Sequence, residues 1–350
     1  MNLFKIIVIA LVLVACKKEQ TPDENIPVDF FNNGILVVNE GLFQQNNSSL
    51  TWIDFTSGNS NSEVFEQKTG RQLGDTGNDI ARYGNKIYIA VTTSSTLEII
   101  DAKNGNSLKQ INMVDNGTPK QPRFIAFHNG KAFISCFDGY VDVLDTTSLE
   151  ITTRIKVGAN PNEIHAANNK IYVVNSGGLS YPNVDSTLSV IDPVALVETN
   201  KIVVGKNPYR ISSDDNGNLY VVTQTGFNTT NTQWVKVKPT LEIDTIYNWP
   251  VNLMTKIGSN FMLYTLTGSN QAALQLFNPS TQTITNTNFI DASLFTTFYG
   301  AQYDAQRNQI YCFDAMSYVN TGYVRVFSSN GVHLKNYKTQ LNPSKLIIYE

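Results

Sequence analysis

The sequence has few of the residues that build metal sites and disulfide frameworks. It contains three cysteines and three histidines among 350 residues, too few for a disulfide scaffold or a zinc site of the usual Cys/His spacing. Charged residues make up 16%, and 26 Lys+Arg nearly balance 29 Asp+Glu, so the concentrated basic field that general nucleic-acid binding needs is missing. The 41% of hydrophobic residues excludes disorder and supplies a large core.

The histidines and cysteines also occupy unsuitable positions for nucleophilic catalysis, which needs a base held beside a nucleophile. The pattern predicts His128 in a turn, His333 in the last hairpin, and His165 in an inner strand as a packed imidazole. Cys136 and Cys312 end strands of different repeats, too far apart for a disulfide, and are interpreted as buried thiols. No stretch shows a helical period. We therefore expect no catalytic residue, metal site or cofactor, and no enzyme activity.

The longest apolar run, residues 6–14, is far shorter than the roughly 20 residues that a membrane-spanning helix needs. Lys5 precedes it, and the small residues after it lead into Cys16. This pattern resembles the lipobox of bacterial lipoproteins, in which cleavage before the cysteine is followed by its acylation. We therefore expect a signal peptide over 1–15, lipidation at Cys16 and a flexible tether over 16–30. The alternative is an ordinary secretory signal with an incidental Cys16.

A repeat runs through the rest of the chain. A hydrophobic strand, ending in most copies near a tyrosine, recurs seven times at 34–37, 86–89, 131–134, 170–173, 218–221, 262–265 and 309–312. The copies are spaced by about 46 residues on average. A second column of seven alternating strands runs in phase with the first, from 50–54 to 324–328, and most copies end in Asp or Asn that starts a turn.

A third column opens the units at 122–126, 161–165 and 208–212, with looser copies at 77–80 and 250–253. Each unit therefore predicts four short strands, and a sheet of this size must stack on its neighbours to bury its faces. We predict an all-β fold over 31–350: a seven-bladed β-propeller of four-stranded antiparallel blades. Residues 342–348 match the opening column without a following unit, so we expect this C-terminal strand to complete the first blade and close the ring.

The repeat resembles the YVTN family of propellers, including the YncE type, in the segments 170–175 (KIYVVN) and 187–192 (TLSVID). The segments 38–41 (VNEG), 74–80 (GDTGNDI), 145–150 (DTTSLE) and 175–178 (NSGG) resemble the surface lipoproteins of Bacteroidota that include the BtuG group. That resemblance implies an outer-membrane protein, lipid-anchored and exposed at the cell surface. It also implies capture of cobalamin or another corrinoid and transfer to a TonB-dependent transporter.

The predicted strand order brings two sets of loops to one face, where we expect the ligand. Aromatic residues of these loops give contact area at low entropy cost, and the candidates are Phe43, Phe137, Tyr140, Tyr181, Phe227, Tyr318, Tyr209, Trp249 and Tyr299. Polar residues at the start of the inner strands are expected to surround the central mouth: Asn78, Asp79, Arg123, Glu163, Arg210, Asn252 and Lys345. Three further candidates, Asn39, Glu40 and Asn175, belong to the resembling segments.

Two structural alternatives accompany these candidates. Aromatic residues at strand ends of propellers also pack between blades, and the charged residues at the mouth are able to neutralise one another. Two further functions are also weighed against ligand capture. The first is a protein-interaction module that serves as an accessory subunit of an outer-membrane complex. The second, with less support, is a lactonase-like enzyme.

Overall fold

The apolar residues of each repeat alternate with polar ones, and each repeat folds into one antiparallel sheet that packs on its two neighbours. The computed structural model describes residues 28–224, 232–266 and 271–350. These residues form a seven-bladed propeller of four-stranded sheets, which confirms the predicted fold class. The first blade contains β1 Gly34–Asn39, β2 Ser49–Asp54 and β3 Ser60–Asn61, and the helix α1 Val64–Thr69 follows β3.

The remaining strands follow in chain order. Blade 2 holds β4 Gly77–Tyr83, β5 Lys86–Val91, β6 Thr96–Asp101 and β7 Ser107–Asn112, and a small hairpin, β8 Val114–Asp115 and β9 Thr118–Pro119, leads to the next blade. Blade 3 holds β10 Pro122–His128, β11 Lys131–Cys136, β12 Tyr140–Asp145 and β13 Glu150–Lys156. Blade 4 holds β14 Pro161–Ala167, β15 Lys170–Asn175, β16 Thr187–Asp192 and β17 Val197–Val203.

Blade 5 holds β18 Pro208–Ser213, β19 Leu219–Gln224, β20 Thr232–Val237 and β21 Ile243–Tyr247. Blade 6 holds β22 Val251–Ile257, β23 Asn260–Leu266, β24 Ala272–Asn278 and β25 Thr283–Ile290. Blade 7 holds β26 Phe298–Asp304, β27 Gln309–Asp314, β28 Thr321–Ser328 and β29 His333–Leu341. The last strand is β30 Pro343–Tyr349, and single turns of 3₁₀ helix occur at Gly178–Ser180, Ala292–Leu294 and Met316–Tyr318.

The C-terminal strand closes the ring as predicted. Strand β30 pairs antiparallel with β1, with Leu36 opposite Ile347, and it supplies the inner strand of the first blade. Leu346, Ile347 and Tyr349 are buried in the cores on either side of that blade. The first and last strands of the described chain therefore belong to one sheet, and the inner edge of β1 is paired with β30.

The expectation that the chain has no helix is wrong at α1. This six-residue helix lies in the first blade, where β3 is only two residues long, and it buries Val64 and Phe65 against the core. It ends at Gly70, whose φ of 73° is a left-handed conformation that glycine adopts without steric cost. A helix of less than two turns gives too few residues for a 3.6-residue period to appear in the sequence.

The core lies between neighbouring blades and is built on the repeated second strands. Tyr88, Tyr172, Tyr220 and Tyr311 are buried there, and each core cluster joins residues of two adjacent blades. Each such side chain contributes about 1.5–3 kcal/mol when it leaves water. Cys136 and Cys312 are buried free thiols of blades 3 and 7, as predicted.

The ring has two different faces. The turn face carries the short links between the first and second and between the third and fourth strands of each blade. Carboxylate and amide oxygens at the ends of third strands accept backbone N–H groups two and three residues further on, as in Asp101 with Lys103 and Asn104 and in Asp192 with Val194 and Ala195. These contacts confirm the predicted turn chemistry.

The described chain begins on the turn face and also ends there. The N–H of Phe31 donates to the carbonyl oxygen of Lys103 at 2.7 Å, within the turn between β6 and β7, and the Phe31 ring packs on Trp52 and Tyr349. The opposite face carries the loops that follow each second strand and the loops that join one blade to the next. We call it the pocket face.

Candidate functional site

The pocket face has a cavity of about 300 Å³ at the centre of the ring. The inner strands all start at this face, so the side chains near their first residues converge on the axis. Seven of the predicted site residues line the cavity: Glu40, Asn78, Arg123, Glu163, Arg210, Tyr299 and Lys345. We call this cavity the central pocket. Phe124, Leu253 and Met254 add apolar wall, and sequence reasoning did not select them because apolar residues of inner strands resemble core residues.

Part of the charge in the central pocket is neutralised within the fold. Lys345 forms an ion pair with Asp79, whose side chain is fully buried. The second carboxylate oxygen of Asp79 accepts the N–H of Ile125 from the next blade at 2.8 Å. Glu163 repeats this contact two blades further on, where its Oε2 accepts the N–H of Ile211 at 2.6 Å. These carboxylates therefore join neighbouring inner strands, and neutralisation accounts for Asp79 and Lys345.

The two arginines of the central pocket are not neutralised in this way. Neither guanidinium forms an ion pair within the described residues. Arg123 donates from Nε to the amide oxygen of Asn162 at 3.3 Å, and its guanidinium lies 4.6 Å from the ring centre of Phe137. Burial lowers the pKa of Arg123 to about 10, the charge of Glu40 opposes this shift, and the charge of Arg210 adds to it. Arg123 nevertheless remains a cation at neutral pH.

Two carboxyl groups of the pocket are held with little water around them. The hydroxyl of Tyr299 donates to Oε2 of Glu40 at 2.8 Å. Burial raises the pKa of Glu40 above its ordinary value, and the hydrogen bond from Tyr299 opposes the shift. Burial likewise raises the pKa of Glu163, against the charge of Arg210 and the N–H of Ile211. Both carboxyl groups therefore take up a proton at a higher pH than an exposed glutamate.

Three aromatic residues of the pocket-face loops point into solvent. Phe43 is 70% exposed, Tyr181 52% and Tyr318 50%. Tyr318 also contacts a residue that lines the pocket, because its ring packs edge-on against Tyr299 with 5.7 Å between the ring centres. We call these three residues the aromatic rim. Phe227 lies outside the described residues.

Other predicted aromatics are used inside the fold. Trp249 packs against Trp234 and Tyr247, in the core between blades 5 and 6. Tyr209 packs on the same core, and its hydroxyl donates to the carbonyl oxygen of Asn252 at 2.9 Å. Burial raises the pKa of Tyr209 to about 12. These rings do not line the central pocket. They pack between blades, which was the alternative interpretation of aromatic residues at strand ends.

The three predicted amides outside the pocket also bind the protein itself. The side chain of Asn252 accepts the N–H of Leu266 at 2.9 Å. Asn39 and Asn175 are fully buried, and each donates to a hydroxyl group of the neighbouring third strand, Thr51 at 2.9 Å and Ser189 at 2.8 Å. All three therefore lie outside the central pocket.

Phe137 and Tyr140 both lie beneath arginines but differ in position. Phe137 supports Arg123 next to the pocket. Tyr140 lies 4.2 Å from the guanidinium of Arg154, which bonds Asp142 and Asp138 within blade 3. Tyr140 therefore contacts an ion-pair network of its own blade rather than the central pocket.

The inner strand that carries Glu163 also carries His165, two residues closer to the turn face. The Nε2 atom of His165 lies 2.9 Å from the hydroxyl oxygen of Ser213 in the next blade. Burial lowers the pKa of His165 to about 4, and the charge of Lys256 adds to the shift. The imidazole is therefore neutral near pH 7 and packed as predicted. Residues 28–224, 232–266 and 271–350 contain no group of three or more His, Cys, Asp or Glu placed to hold a metal ion.

A second cavity of about 310 Å³ lies beside α1, away from the ring axis. It is lined by amides and hydroxyls of the loop after β1, including Gln45, Asn46 and Ser48, and by Phe65 and Gln72. None of the predicted site residues belongs to it. Asn46 and Gln72 bind each other across it at 2.9 Å, so part of its polar lining is already paired.

The fold and the central pocket define a class of protein: a seven-bladed β-propeller with one charged cavity at the mouth of its ring. Residues 33–344 match the family described as "Domain of unknown function (DUF5074)". The chain therefore belongs to this family. No curated protein matches it in sequence. No helix of the described residues is both long enough and apolar enough to span a bilayer.

Solved structures with related folds include two bacterial proteins. A quinonprotein alcohol dehydrogenase-like protein from Bacteroides thetaiotaomicron is 15% identical, with a TM-score of 0.64 over 91% of this chain and 79% of that one. The hydrazine synthase of Kuenenia stuttgartiensis is 13% identical, with a TM-score of 0.61 over 75% of this chain and 85% of that one. At these identities the similarity concerns the fold alone.

Proposed function

We propose that the protein binds a ligand without changing it chemically. Polar groups of the ligand enter the central pocket, and its apolar part lies against the aromatic rim. One observation carries this proposal: Arg123 and Arg210 lie in a cavity on the face that also carries the exposed aromatic rings, and neither arginine has an ion pair within the described residues. A rigid, preformed surface of this kind lowers the ordering cost of binding.

A corrinoid is the first ligand to test, because of the resemblance to the BtuG group. At about 300 Å³ the central pocket is at the small end of ligand-binding cavities. A corrinoid therefore lies across the pocket face, with one polar side group in the pocket and its macrocycle on Phe43, Tyr181 and Tyr318. This pose uses the aromatic rings for contact area and the charged groups for orientation.

The position of the N-terminal segment supports the proposed anchor. The described chain starts on the turn face, opposite the central pocket. The 13 residues from Cys16 to Val28 reach at most about 43 Å when extended. A lipid on Cys16 would therefore hold the turn face towards the outer membrane and direct the pocket face away from it. In this orientation the rim is accessible to ligand and to a TonB-dependent transporter that receives it.

The exposed apolar side chains of the pocket face favour a second candidate, a protein-interaction module. Leu179 is exposed beside Tyr181, and Val319 is exposed beside Tyr318. Exposed apolar groups clustered on one face are typical of protein contact sites. In this alternative, the same face binds a subunit of an outer-membrane complex and no small molecule.

A colour assay separates the two candidates. Protein lacking residues 1–16 is mixed with cyanocobalamin and desalted, and we expect the protein fraction to elute red. Tyr181→Ala and Tyr318→Ala should each weaken binding by about 1–3 kcal/mol, the usual effect of removing an aromatic contact residue. Val194→Ala, at an exposed apolar residue of the turn face, is the matched control and should bind normally. A colourless fraction contradicts the corrinoid proposal and favours the interaction module.

A further inference from the structure

We infer that Arg123 and Arg210 together bind an anionic group of the ligand, a carboxylate or a phosphate. The inference rests on the proposed function, because it assigns the chemistry of the group that enters the central pocket. It adds a charge requirement that neither the fold nor the family description provides.

The two guanidinium groups meet at one aromatic ring. The guanidinium carbon of Arg123 lies 5.5 Å from the ring centre of Phe124, and that of Arg210 lies 5.8 Å from the same centre. Two cations therefore lie beside the same ring, although like charges repel. Burial lowers the pKa of Arg123, the charge of Glu40 raises it, and the charge of Arg210 lowers it further.

Each carboxylate of the pocket has a hydrogen-bond or ion-pair partner other than these arginines. Burial raises the pKa of Glu40 and of Glu163, although the charges of Arg123 and Arg210 lower that of Glu40 and the charge of Arg210 lowers that of Glu163. Asp79 pairs with Lys345, Oε2 of Glu163 accepts the N–H of Ile211, and Oε2 of Glu40 accepts the hydroxyl of Tyr299. Within the described residues, neither Arg123 nor Arg210 forms an ion pair. The internal segments 225–231 and 267–270, which lie outside the described residues, contain no Asp or Glu.

Of the five other arginines, exposed Arg82 is the one that forms no ion pair within the described residues. Arg71, Arg154, Arg307 and Arg325 each pair with a carboxylate of their surroundings. Arg123 and Arg210 are partly buried without an ion pair, which is less favourable than full hydration, and a bound anion would reduce that cost. The planar guanidinium donates two parallel N–H bonds, which match the oxygens of a carboxylate or phosphate.

The apolar wall limits the size of the bound group. Phe124, Leu253 and Met254 occupy the sides of the pocket, and the cavity measures about 300 Å³. The anionic group is therefore small, or it is the end of a larger ligand whose body stays outside on the rim.

Calorimetry on the full chain in detergent tests the inference with two probes, inorganic phosphate and succinate. We expect at least one of them to bind, and we expect Arg123→Gln and Arg210→Gln each to weaken that binding by at least tenfold. Succinamide, which has the shape of succinate without its charge, should not bind. Arg82→Gln is the matched control, since Arg82 is an exposed arginine at the turn-face end of β4. Binding of phosphate alone or of succinate alone identifies which anion the pocket prefers.

The inference is overturned if neither anion binds, or if the arginine variants bind as well as the parent protein. Where a Gln variant fails to fold, Arg123→Lys keeps the charge and removes the paired donors, and it should weaken binding while leaving the melting curve unchanged. The outcome for cyanocobalamin is scored separately. If the anions bind and cobalamin does not, the inference stands and the corrinoid proposal is rejected. If cobalamin binds equally well to the parent and to both arginine variants, the corrinoid proposal stands and the inference is rejected.

Discussion

On the turn face, polar side chains bind the backbone of their own turns. Asp192 accepts two backbone N–H groups of its turn, and it also accepts a hydrogen bond from the side chain of Lys170. On the pocket face, Arg123 and Arg210 contact aromatic rings and form no ion pair within the described residues. The same strands run from one face to the other, so strand pairing alone does not cause this difference between the side chains of the two faces. It indicates that the polar residues of the turns stabilise the ring, whereas these two arginines of the pocket face are available for a ligand.

The largest effect is expected where both faces depend on one element. Deleting residues 343–350 removes β30, which pairs with β1 along its whole length and carries Lys345 to the pocket. The first blade loses its inner strand, and buried Leu36 and Val38 lose their cover. We expect the cooperative thermal transition, followed by circular dichroism, to disappear. Deletion of the exposed Glu350 alone is the control, and a truncated chain that melts as sharply as the control would contradict the closing role of β30.

The next effect concerns the pH dependence of stability at His165, which lies on the same inner strand as Glu163 but closer to the turn face. His165 has a pKa of about 4 in the folded protein against 6.5 when unfolded. Between pH 6.5 and 4 the unfolded chain therefore takes up a proton that the folded chain does not, and the free energy of unfolding falls as the pH falls. The contribution is up to about 3 kcal/mol. His165→Gln should remove it, so that urea unfolding at pH 7 and pH 4.5 differs less than in the parent. An equal loss in both proteins would show that His165 is not the group responsible.

A smaller effect is expected from Asp214 on the turn face. This buried carboxylate accepts the N–H groups of Asn216 and Asn218 and the side-chain amide of Asn218. Asp214→Ala leaves those donors unpaired and should lower the free energy of unfolding by about 2 kcal/mol, measured in urea, without changing ligand binding. Asp215→Ala is the control, because Asp215 makes an ion pair with Lys256 in solvent and such pairs contribute little. Weaker ligand binding in Asp214→Ala would break the separation of the faces.

The smallest change in stability is expected at the pocket. Arg123→Gln loses no ion pair within the described residues. It loses the contact with the Phe137 ring, and this loss is offset because a charge is no longer buried. We expect the free energy of unfolding to stay within about 0.5 kcal/mol of the parent value. A loss as large as that of Asp214→Ala would mean that Arg123 mainly stabilises the fold.

The sequence was sufficient to predict the positions that meet at the axis. Most repeats open with a similar short pattern, so equivalent residues such as Asn78, Arg123 and Lys345 had to converge once the ring closed. The closing strand could be predicted for the same reason, because residues 342–348 repeat the opening pattern with no unit after them. The repeat period is therefore enough to locate these residues in the ring, even when the contacts of their side chains are unknown.

The environment of single side chains could not be predicted in this way. Trp249 and Phe43 both belong to loops of the pocket face, yet Trp249 packs between blades and Phe43 is exposed. The difference depends on Trp234 and Tyr247, cross-strand partners of blade 5 on which the Trp249 ring packs. No spacing in the sequence identifies that contact.

A signal for the buried amides was present in the sequence. Asn39 ends β1 and donates to the hydroxyl of Thr51 in β2, and Asn175 ends β15 and donates to the hydroxyl of Ser189 in β16. In both blades an asparagine at the end of the second strand accompanies a hydroxyl residue at the same place in the third. Such a pair indicates a hydrogen bond inside the blade, because a buried amide requires partners.

The most direct test compares the two faces in one titration. Cyanocobalamin is titrated by absorbance into the protein lacking residues 1–16, into Arg123→Gln/Arg210→Gln and into Asp214→Ala. The account predicts that the double arginine variant melts like the parent and binds at least tenfold more weakly, while Asp214→Ala melts earlier and binds with unchanged affinity. Equal affinities in all three proteins, or a loss confined to Asp214→Ala, would contradict a binding site at the central pocket.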